Sequence, residues 1–341
     1  MPTALLLTAW VAASSICPPC DIHIDEPITL GSLDDEVGLH VAVSHRPLVT
    51  GDGHLLAIGE HGRSIVEYDD TGGFVRSIGR MGQGPGELSE VVEIGLYGDS
   101  LVVFDPANAR LTLLTRSGDY LRSFPISMRP YRVKPAGTGR FLVSAHRYAA
   151  SALAEVVDLA REEIVPFGPA ITPVEGRPSM GQRIIAAGSG RFWSARPDRY
   201  EVEARDSGGR LLHTIDREVE WFPDRGVEGA VDFREVLPNP WVQDLHVDEE
   251  GRLWTMVRTA DPAYRPSGES LSYLEWDRVY DTIVEVFEPS GELLSSRRFP
   301  WYGLGFASDG SLVSQRRGPF DLRQVDVWPV RLETSAELGR R

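Results

Sequence analysis

A pattern of short strands and glycine turns recurs along this chain about six times, with a period near 50 residues. It is clearest in residues 51–79 and 97–124, where a glycine turn, two apolar runs, a Ser/Thr-Gly turn and a third run follow one another. One such unit cannot bury its faces alone, so neighbouring units must stack. The repeat therefore predicts an all-β, six-bladed β-propeller built from four-stranded antiparallel blades.

Glycines mark the turns of each copy, because glycine tolerates the positive φ that tight turns between twisted strands require. First-turn glycines occur at Gly53, Gly98, Gly139, Gly190, Gly251 and Gly310. Second-turn glycines occur at Gly72, Gly118, Gly208 and Gly291. Within a copy the apolar residues alternate with polar ones, which is the period of a strand, and no long helical stripe is present.

The last copy is incomplete, because only a polar tail, residues 334–341, follows its strands at 311–315 and 322–328. A strand-like run at residues 21–30 precedes the first copy and has no blade of its own. We expect this run to pair with the last blade, which closes the ring and removes an exposed sheet edge. The propeller then occupies residues 17–333 as one domain.

The first sixteen residues resemble a secretory signal segment. Residues 4–13 are apolar and small residues follow them, but the run is shorter than the roughly 20 residues that span a bilayer. A positively charged start is missing, since the first basic side chain is Arg46. We predict export to the periplasm, the cell surface or the medium, without a transmembrane helix.

The only two cysteines, Cys17 and Cys20, form a Cys-Pro-Pro-Cys sequence just after that apolar run. A redox pair needs a helix start in a βαβ setting, and a zinc site needs two further ligands. Three interpretations stay open: a local structural disulfide, a lipid anchor on Cys17, although Ile16 before it fits lipidation poorly, or cysteines that are unpaired or removed by processing.

The net charge of −15 excludes one class of partner. Binding to nucleic acid requires a basic face that neutralises phosphates, and this acidic chain contains one lysine, Lys134, among 35 Lys and Arg residues. We expect a monomer that does not bind nucleic acid. Its partner would be a protein, a glycan or a small anionic ligand.

Charged residues are predicted to line the central channel near the start of each innermost strand. The position about seven residues before the first-turn glycine is occupied by Arg46, Arg132, Arg183, Asp244 and Gly303, and in the tighter second copy by Glu93. His246 lies two residues after Asp244 and should face the same way. Such a ring could bind an anion bidentately, or its arginines could pair with the two acids and fill the channel.

Two long segments interrupt the repeat, at residues 218–240 and 261–281. Both lie on the predicted loop face, which is the face that carries the loops between successive blades and between the second and third strands of a blade. Loops of this length usually bind something or are disordered. Their aromatic residues include Trp221, Phe222, Tyr264, Tyr273 and Trp276. These side chains could anchor a partner, or they could cover the apolar rim of the propeller itself.

Residues 82–124 resemble an NHL repeat. The resemblance is carried by Gly84-Pro85-Gly86-Glu87 before the inner strand, Asp105 after the second strand, Asn108 and Arg110 in the turn, and Ser117-Gly118. The chain is similar to bacterial six-bladed propeller proteins of the NHL and TolB-like type. This resemblance implies the fold, whereas relatives include both noncatalytic binding proteins and a few metal-dependent hydrolases and lyases.

The sequence favours a noncatalytic binding or scaffold module, with its ligand or partner at the channel mouth on the loop face. No compact catalytic motif is present, and no cofactor is expected. The alternative is a gluconolactonase-like hydrolase or an amidating-lyase-like enzyme that uses Glu93, Asp244 and His246 around a channel calcium or zinc ion. The Arg-rich ring counts against a cation at that place.

Overall fold

A computed structural model describes residues 20–31, 46–145, 151–171, 183–223, 236–268, 273–318 and 323–333. Its sheets confirm the predicted architecture, with six four-stranded antiparallel sheets arranged as the blades of a ring. Three short 3₁₀ helices, Glu60–Gly62, Pro106–Asn108 and Tyr273–Arg278, are the helical elements of the described residues. None of these helices is long and apolar enough to cross a membrane.

The strands follow the repeat along the chain. Two precede the first blade: β1 (Asp21–Ile24) and β2 (Ile28–Leu30). Blade 1 contains β3 (Leu48–Val49), β4 (Leu55–Ile58), β5 (Ile65–Tyr68) and β6 (Phe74–Ile78). A small parallel pair, β7 (Arg80–Met81) and β8 (Glu87–Leu88), leads to blade 2, which contains β9 (Glu93–Tyr97), β10 (Ser100–Asp105), β11 (Arg110–Leu114) and β12 (Tyr120–Pro125).

The other blades keep the same order. Blade 3 contains β13 (Pro130–Pro135), β14 (Arg140–Ala145), β15 (Ser151–Asp158) and β16 (Glu163–Ile171). Blade 4 contains β17 (Ile184–Gly188), β18 (Arg191–Ala195), β19 (Glu201–Asp206) and β20 (Leu211–Asp216). Blade 5 contains β21 (Trp241–Val247), β22 (Leu253–Ala260), β23 (Tyr280–Phe287) and β24 (Leu293–Phe299). Blade 6 has β25 (Tyr302–Phe306), β26 (Leu312–Arg317) and β27 (Arg323–Trp328), and β28 (Val330–Glu333) follows it.

The N-terminal run closes the ring, as the sequence predicts. Strand β2 pairs antiparallel with β27 and supplies the outer strand that blade 6 lacks. The run is not one strand, however, because β1 pairs separately with β28 beyond the last blade. Pro27 and Pro329 explain the break, since a residue without an N–H cannot continue a ladder. The first two and the last two described strands are thereby joined by backbone hydrogen bonds.

The core consists of apolar clusters between neighbouring blades rather than one central mass. Each sheet is covered on both faces, so strands such as β5 and β23 are buried along their whole length. The largest fully buried side chains come from different blades: Trp193, Tyr68, Tyr302, Phe104 and Phe287. This packing leaves the innermost strands facing the channel, where polar side chains collect.

The residues that carry the NHL resemblance fix the loop that enters blade 2. Asp105 is fully buried and accepts hydrogen bonds from the backbone N–H groups of Ser89 and Glu90, each at 2.9 Å. The Asn108 side-chain amide donates to Asp105 at 2.7 Å, and Arg110 donates to the Gly84 carbonyl at 2.7 Å. These residues act on the Gly-Pro-Gly-Glu loop and have a structural role.

Residues 1–16 and 334–341 lie outside the described part of the chain, so the signal-like segment and the polar tail stay predictions. Cys20 is buried and disulfide-bonded. Its predicted partner Cys17 lies outside the described residues, and the Cys17–Cys20 pairing also stays a prediction.

Candidate functional site

The innermost strands of blades 3 and 5 place their charged residues at the same height in the channel. Arg132 follows a shift in register between β13 and β14, and Asp244 follows the equivalent shift between β21 and β22. Two residues further along, Lys134 and His246 face the same way because strand side chains alternate with period 2. The two strands therefore present four polar side chains in two layers.

Asp244 is the centre of a buried ion cluster. Its Oδ2 atom lies 3.0 Å from Nε of Arg46 and 3.1 Å from Nζ of Lys134, and it accepts a hydrogen bond from the Phe306 backbone N–H at 2.9 Å. Asp244 is 0% exposed and Arg46 is 6% exposed. One carboxylate oxygen of Asp244 thus joins the cations of blades 1 and 3 to the innermost strand of blade 6.

Three polar atoms of this cluster have no hydrogen-bond partner among the residues that the structure describes: Nε and Nη2 of Arg46 and Oδ1 of Asp244. Of these, Nε of Arg46 lies at ion-pair distance from Asp244. Buried polar atoms are usually satisfied by protein groups, ordered water or a ligand. Nη2 of Arg46 is the most informative of the three, because it makes no ion pair with Asp244 and Arg46 also lines the channel cavity. A bound acceptor is therefore the natural complement of this guanidinium.

The cavity has a volume of about 400 Å³ and is lined by residues of all six innermost strands. Its polar lining includes Arg46, Glu93, Lys134 and His246. Its apolar lining includes Leu96, Val133, Phe141, Val247 and Phe306. These residues directly precede or follow the first turns, so the cavity lies at the first-turn end of the channel. The sequence placed the site at the other end, on the loop face.

Burial and neighbouring charges shift the pKa values of the acids in opposite directions. Burial raises the pKa of the Glu93 carboxyl to about 7, although the charges of Arg46 and Lys134 act against this. Burial also opposes ionisation of Asp244, but Arg46, Lys134 and Arg132 outweigh it and keep its pKa below the ordinary value. Asp244 is therefore the permanent anion of the cluster, whereas Glu93 changes charge near neutral pH.

The bases of the site are weakened. Burial lowers the pKa of Lys134 to about 8, against the attraction of Asp244. Burial and the charge of Lys134 lower the pKa of His246 to about 4, so its imidazole is neutral at pH 7. Below about pH 7 the group of Arg46, Arg132 and Lys134 therefore faces a single carboxylate charge, in a protein whose net charge is −15.

Glu93→Gln should change the pH dependence of stability. The pKa of Glu93 is about 7 in the folded state and near 4.5 in the unfolded state. Between pH 4.5 and pH 7 the folded state therefore binds more protons than the unfolded state. The contribution of Glu93 to the free energy of unfolding falls as the pH rises through this range. The stability gained by the variant should grow by about 2 kcal/mol from about pH 5.5 to about pH 8. Urea unfolding at both pH values measures it.

The matched control is Glu163→Gln, which changes an exposed carboxylate on β16. Its effect on the free energy of unfolding should stay within about 0.5 kcal/mol at both pH values. A Glu93→Gln gain that is equal at the two pH values would contradict the ionisation assigned to Glu93.

Arg183 does not belong to this cluster. It lies just before β17, and the charged groups that act on it are those of blade 4. They are Arg196, Glu203, Asp198 and Glu201. Blade 4 instead contributes the small side chains of Ala186 and Ala187 to the cavity lining.

Lys134 and Gly305 are site residues that the sequence interpretation missed. Lys134 is two residues after Arg132, so strand periodicity could have placed it in the channel. Gly303, the expected position in blade 6, points towards Met256 of blade 5 instead. A register shift follows Gly303, and a Cβ on Gly305 would lie 2.2 Å from Nε of Arg46. That shift is not visible in the sequence.

The first aromatic loop packs on the propeller. Trp221 and Phe222 are partly buried, with ring centroids each 5.6 Å from the ring of Tyr200. They cover the apolar cluster between blades 4 and 5. Residues 224–235 of the same segment lie outside the described residues.

The second aromatic loop also contacts the core. The Trp276 ring centroid is 5.2 Å from that of Tyr302, and Tyr264 packs against the same cluster. Tyr273 begins the 3₁₀ helix Tyr273–Arg278, but its side chain lies outside the described part of the structure. The described contacts of the aromatic loops are therefore internal, and partner binding by these residues stays a prediction.

The donor set does not suit the channel metal ion of the enzyme alternative. The carboxylate of Asp244 is already bound by two cations, and the charge of Lys134 also acts on His246. A divalent ion would have to enter beside Arg46 and Lys134 against their charge. Among the residues that the structure describes, no group of three or more His, Cys, Asp or Glu side chains is placed to hold a metal.

Comparison with solved structures supports the six-bladed fold. A member of the DUF4221 family from Bacteroides vulgatus is 12% identical, with a TM-score of 0.65 over 93% of this chain and 99% of that one. A candidate exported protein of Bacteroides fragilis is also 12% identical, with a TM-score of 0.57 over 95% of this chain and 98% of its own.

A weaker likeness relates the chain to virginiamycin B lyase from Staphylococcus aureus. The two are 8% identical, with a TM-score of 0.48 over 90% of this chain and 99% of the lyase. At such identities the likeness concerns the fold alone. No protein-family model matches the sequence, and no curated protein matches it. The NHL and TolB-like type therefore stays a prediction.

Proposed function

We propose that this protein is a noncatalytic binding module that holds a small organic anion in the first-turn end of its channel. The observation that carries the proposal is Nη2 of Arg46, a buried donor to which no described residue offers a hydrogen-bond acceptor, in the wall of a cavity of about 400 Å³. A carboxylate or a similar oxyanion supplies the acceptor that this guanidinium lacks.

The shape and lining of the cavity define the ligand class. Its volume falls within the usual range for small-molecule sites, roughly 300–1,000 Å³. Its lining combines two cations, Arg46 and Lys134, with aliphatic and aromatic side chains. A ligand with one acidic end and a short apolar body therefore fits better than a sugar or a peptide, which would leave many polar groups unpaired.

The titration of Glu93 makes this binding pH-dependent. When Glu93 is ionised, its carboxylate competes with the ligand for Arg46 and Lys134, the two cavity cations whose charges act on it most strongly. When it is protonated, those charges are free for the ligand. Affinity should therefore rise as pH falls through about 7, and Lys134, with its pKa of about 8, remains charged in that range.

The cellular place of this binding is proposed from the sequence. The apolar segment at residues 4–13 has the character of an export signal, and one similar solved structure is a candidate exported protein. We place the protein in the cell envelope or outside the cell, where a binding module with a Cys-Pro-Pro-Cys sequence can keep a disulfide. Partner capture through the aromatic loops has less support, because the described side chains there pack inwards.

Lys134→Met should weaken anion binding at least tenfold. The variant removes one of the two cations bound to Asp244 while it keeps most of the side-chain volume. Short-chain monocarboxylates and dicarboxylates are tested at constant ionic strength by thermal shift, and any that bind are then tested by calorimetry. The control is Arg140→Met, which removes an exposed cation of the same blade.

The proposal is wrong if no carboxylate raises the melting temperature of the native protein, or if Lys134→Met binds as tightly as the control. An affinity that rises with pH between about 6 and about 8 would also contradict the assigned role of Glu93.

A further inference from the structure

Arg258 is a buried cation at the loop end of the channel, away from the cavity. It lies on β22 opposite Trp241, the first residue of β21, and is 8% exposed. Its guanidinium lies 4.8 Å from the ring centre of Tyr302 and 5.6 Å from that of Tyr280. It also donates a hydrogen bond to the Tyr302 hydroxyl. Across the residues that the structure describes, Arg258 forms no ion pair, and no carboxylate is among the groups whose charges act on it.

Arg132 is a second cation near Arg258. It is 3% exposed, its guanidinium lies 4.3 Å from the ring centre of Tyr131, and it donates to the carbonyl oxygens of Tyr131 and Gln243. Its backbone lies level with Asp244, and the charges of Asp244 and Glu93 act on it, but no carboxylate within the described ranges lies at ion-pair distance from its guanidinium. The Nε atoms of both Arg132 and Arg258 lack a hydrogen-bond partner.

The two ends of the channel therefore differ in their balance of charge. Asp244 is bound to Arg46 and Lys134 at the first-turn end. At the loop end, only neutral groups contact Arg258 in the described structure, and the charge of Arg132 acts on it unfavourably. Burial lowers the pKa of Arg258 to about 10, so it stays charged at neutral pH. Cation–π contacts offset part of the cost of burying such a charge, but a counter-ion normally provides the rest.

We propose that Arg132 and Arg258 bind an oxyanion at the loop end of the channel, at a site separate from the first-turn cavity. The ligand group is a carboxylate, a phosphate or a sulfate, whose planar or tetrahedral oxygens match the guanidinium donors. The Tyr302 hydroxyl accepts from Arg258 and keeps its own proton to donate to the same anion. This inference does not depend on the proposed function, because none of Arg132, Arg258 and Tyr302 lines the first-turn cavity.

The test measures binding of inorganic phosphate, sulfate and acetate to the full-length protein by thermal shift and calorimetry, with chloride to keep ionic strength constant. At least one of them should bind saturably to the native protein. Arg258→Met should lose that binding at least tenfold, and Arg265→Met, which removes an exposed arginine from the same side of blade 5, should not. Tyr302→Phe keeps the ring and should weaken binding severalfold, so it replaces Arg258→Met if the latter fails to fold.

Lys134→Met separates this site from the cavity, since it should leave the oxyanion affinity of the loop end within twofold of native. If Lys134→Met abolishes oxyanion binding and Arg258→Met does not, the anion lies in the cavity and the inference is overturned while the proposed function stands. If none of the three anions binds saturably, or if Arg258→Met and Tyr302→Phe both bind as the native protein does, the arginines are structural and the inference is wrong.

Discussion

Asp244→Asn should lower the free energy of unfolding by about 3–5 kcal/mol, because it removes one partner of a buried charge cluster. Asparagine has the same shape, so the change leaves Arg46 and Lys134 in place without the carboxylate that lies about 3 Å from each, at 3.0 and 3.1 Å. Two buried cations then repel each other with no counter-charge between them. Urea unfolding at pH 7 measures the loss.

The same variant links stability to ligand binding. With the internal carboxylate gone, an added carboxylate or sulfate can take its place beside Arg46 and Lys134, so these anions should restore more stability to Asp244→Asn than they add to the native protein. The control is Glu162→Gln, which breaks an exposed pair with Arg122 and should cost less than about 0.5 kcal/mol. A loss below about 1 kcal/mol for Asp244→Asn would mean that the cluster does not hold the channel together.

Gly305→Ala should destabilise the protein by about 3 kcal/mol through two independent effects. Its φ of +150° is a conformation that residues with a Cβ rarely adopt. In addition, the new Cβ would lie 2.2 Å from Nε of Arg46 and 2.6 Å from Oδ2 of Asp244, so the ion pair has to separate. Thermal and urea unfolding should both show the loss, and binding of a carboxylate to the cavity should weaken with it.

Gly190→Ala separates backbone strain from steric conflict. Gly190 has a φ of +72° in a first turn, but a Cβ there meets no heavy atom within 4 Å. Only the strain term applies, which is about 1 kcal/mol. Equal losses for the two glycine variants would show that the close approach of Gly305 to Arg46 and Asp244 does not contribute.

The channel explains why both large effects concern so few atoms. In a propeller the blades contribute their innermost strands to one narrow space, and here five charged side chains share it: Arg46, Glu93, Arg132, Lys134 and Asp244. Little water solvates a charge in this space, so the neighbouring charged groups determine both its pKa and its contribution to the stability of the protein. The same lack of water would strengthen the binding of the proposed anion.

The sequence predicted the fold because the features that define the fold depend on residues that are close together in the chain. Turn glycines, alternating apolar residues and the period of the repeat are each set by neighbours in the chain, and the missing strand of blade 6 followed from the count. The break of the N-terminal run into β1 and β2 was missed, although Pro27 and Pro329 are the physical reason for it.

The candidate site was predicted only in part. Counting from the turns placed Arg46, Glu93, Arg132, Asp244 and His246 at the channel, and the structure places these residues there. Arg183 was assigned by the same count, yet its charged neighbours are those of blade 4. The difference arises because Arg183 precedes the first residue of β17, where strand alternation no longer fixes the direction of a side chain.

What the sequence alone determined is the ring of six blades, the way it is closed, and the kinds of charge that meet at its centre. The tertiary structure decided which of those charges pair, that the cavity lies at the first-turn end, and that Arg258 has no counter-charge in the described residues. These properties depend on register shifts such as the one between Gly303 and Gly305, and on distances between residues far apart in the chain. The turn sequences that produce the repeat predict neither these register shifts nor these distances.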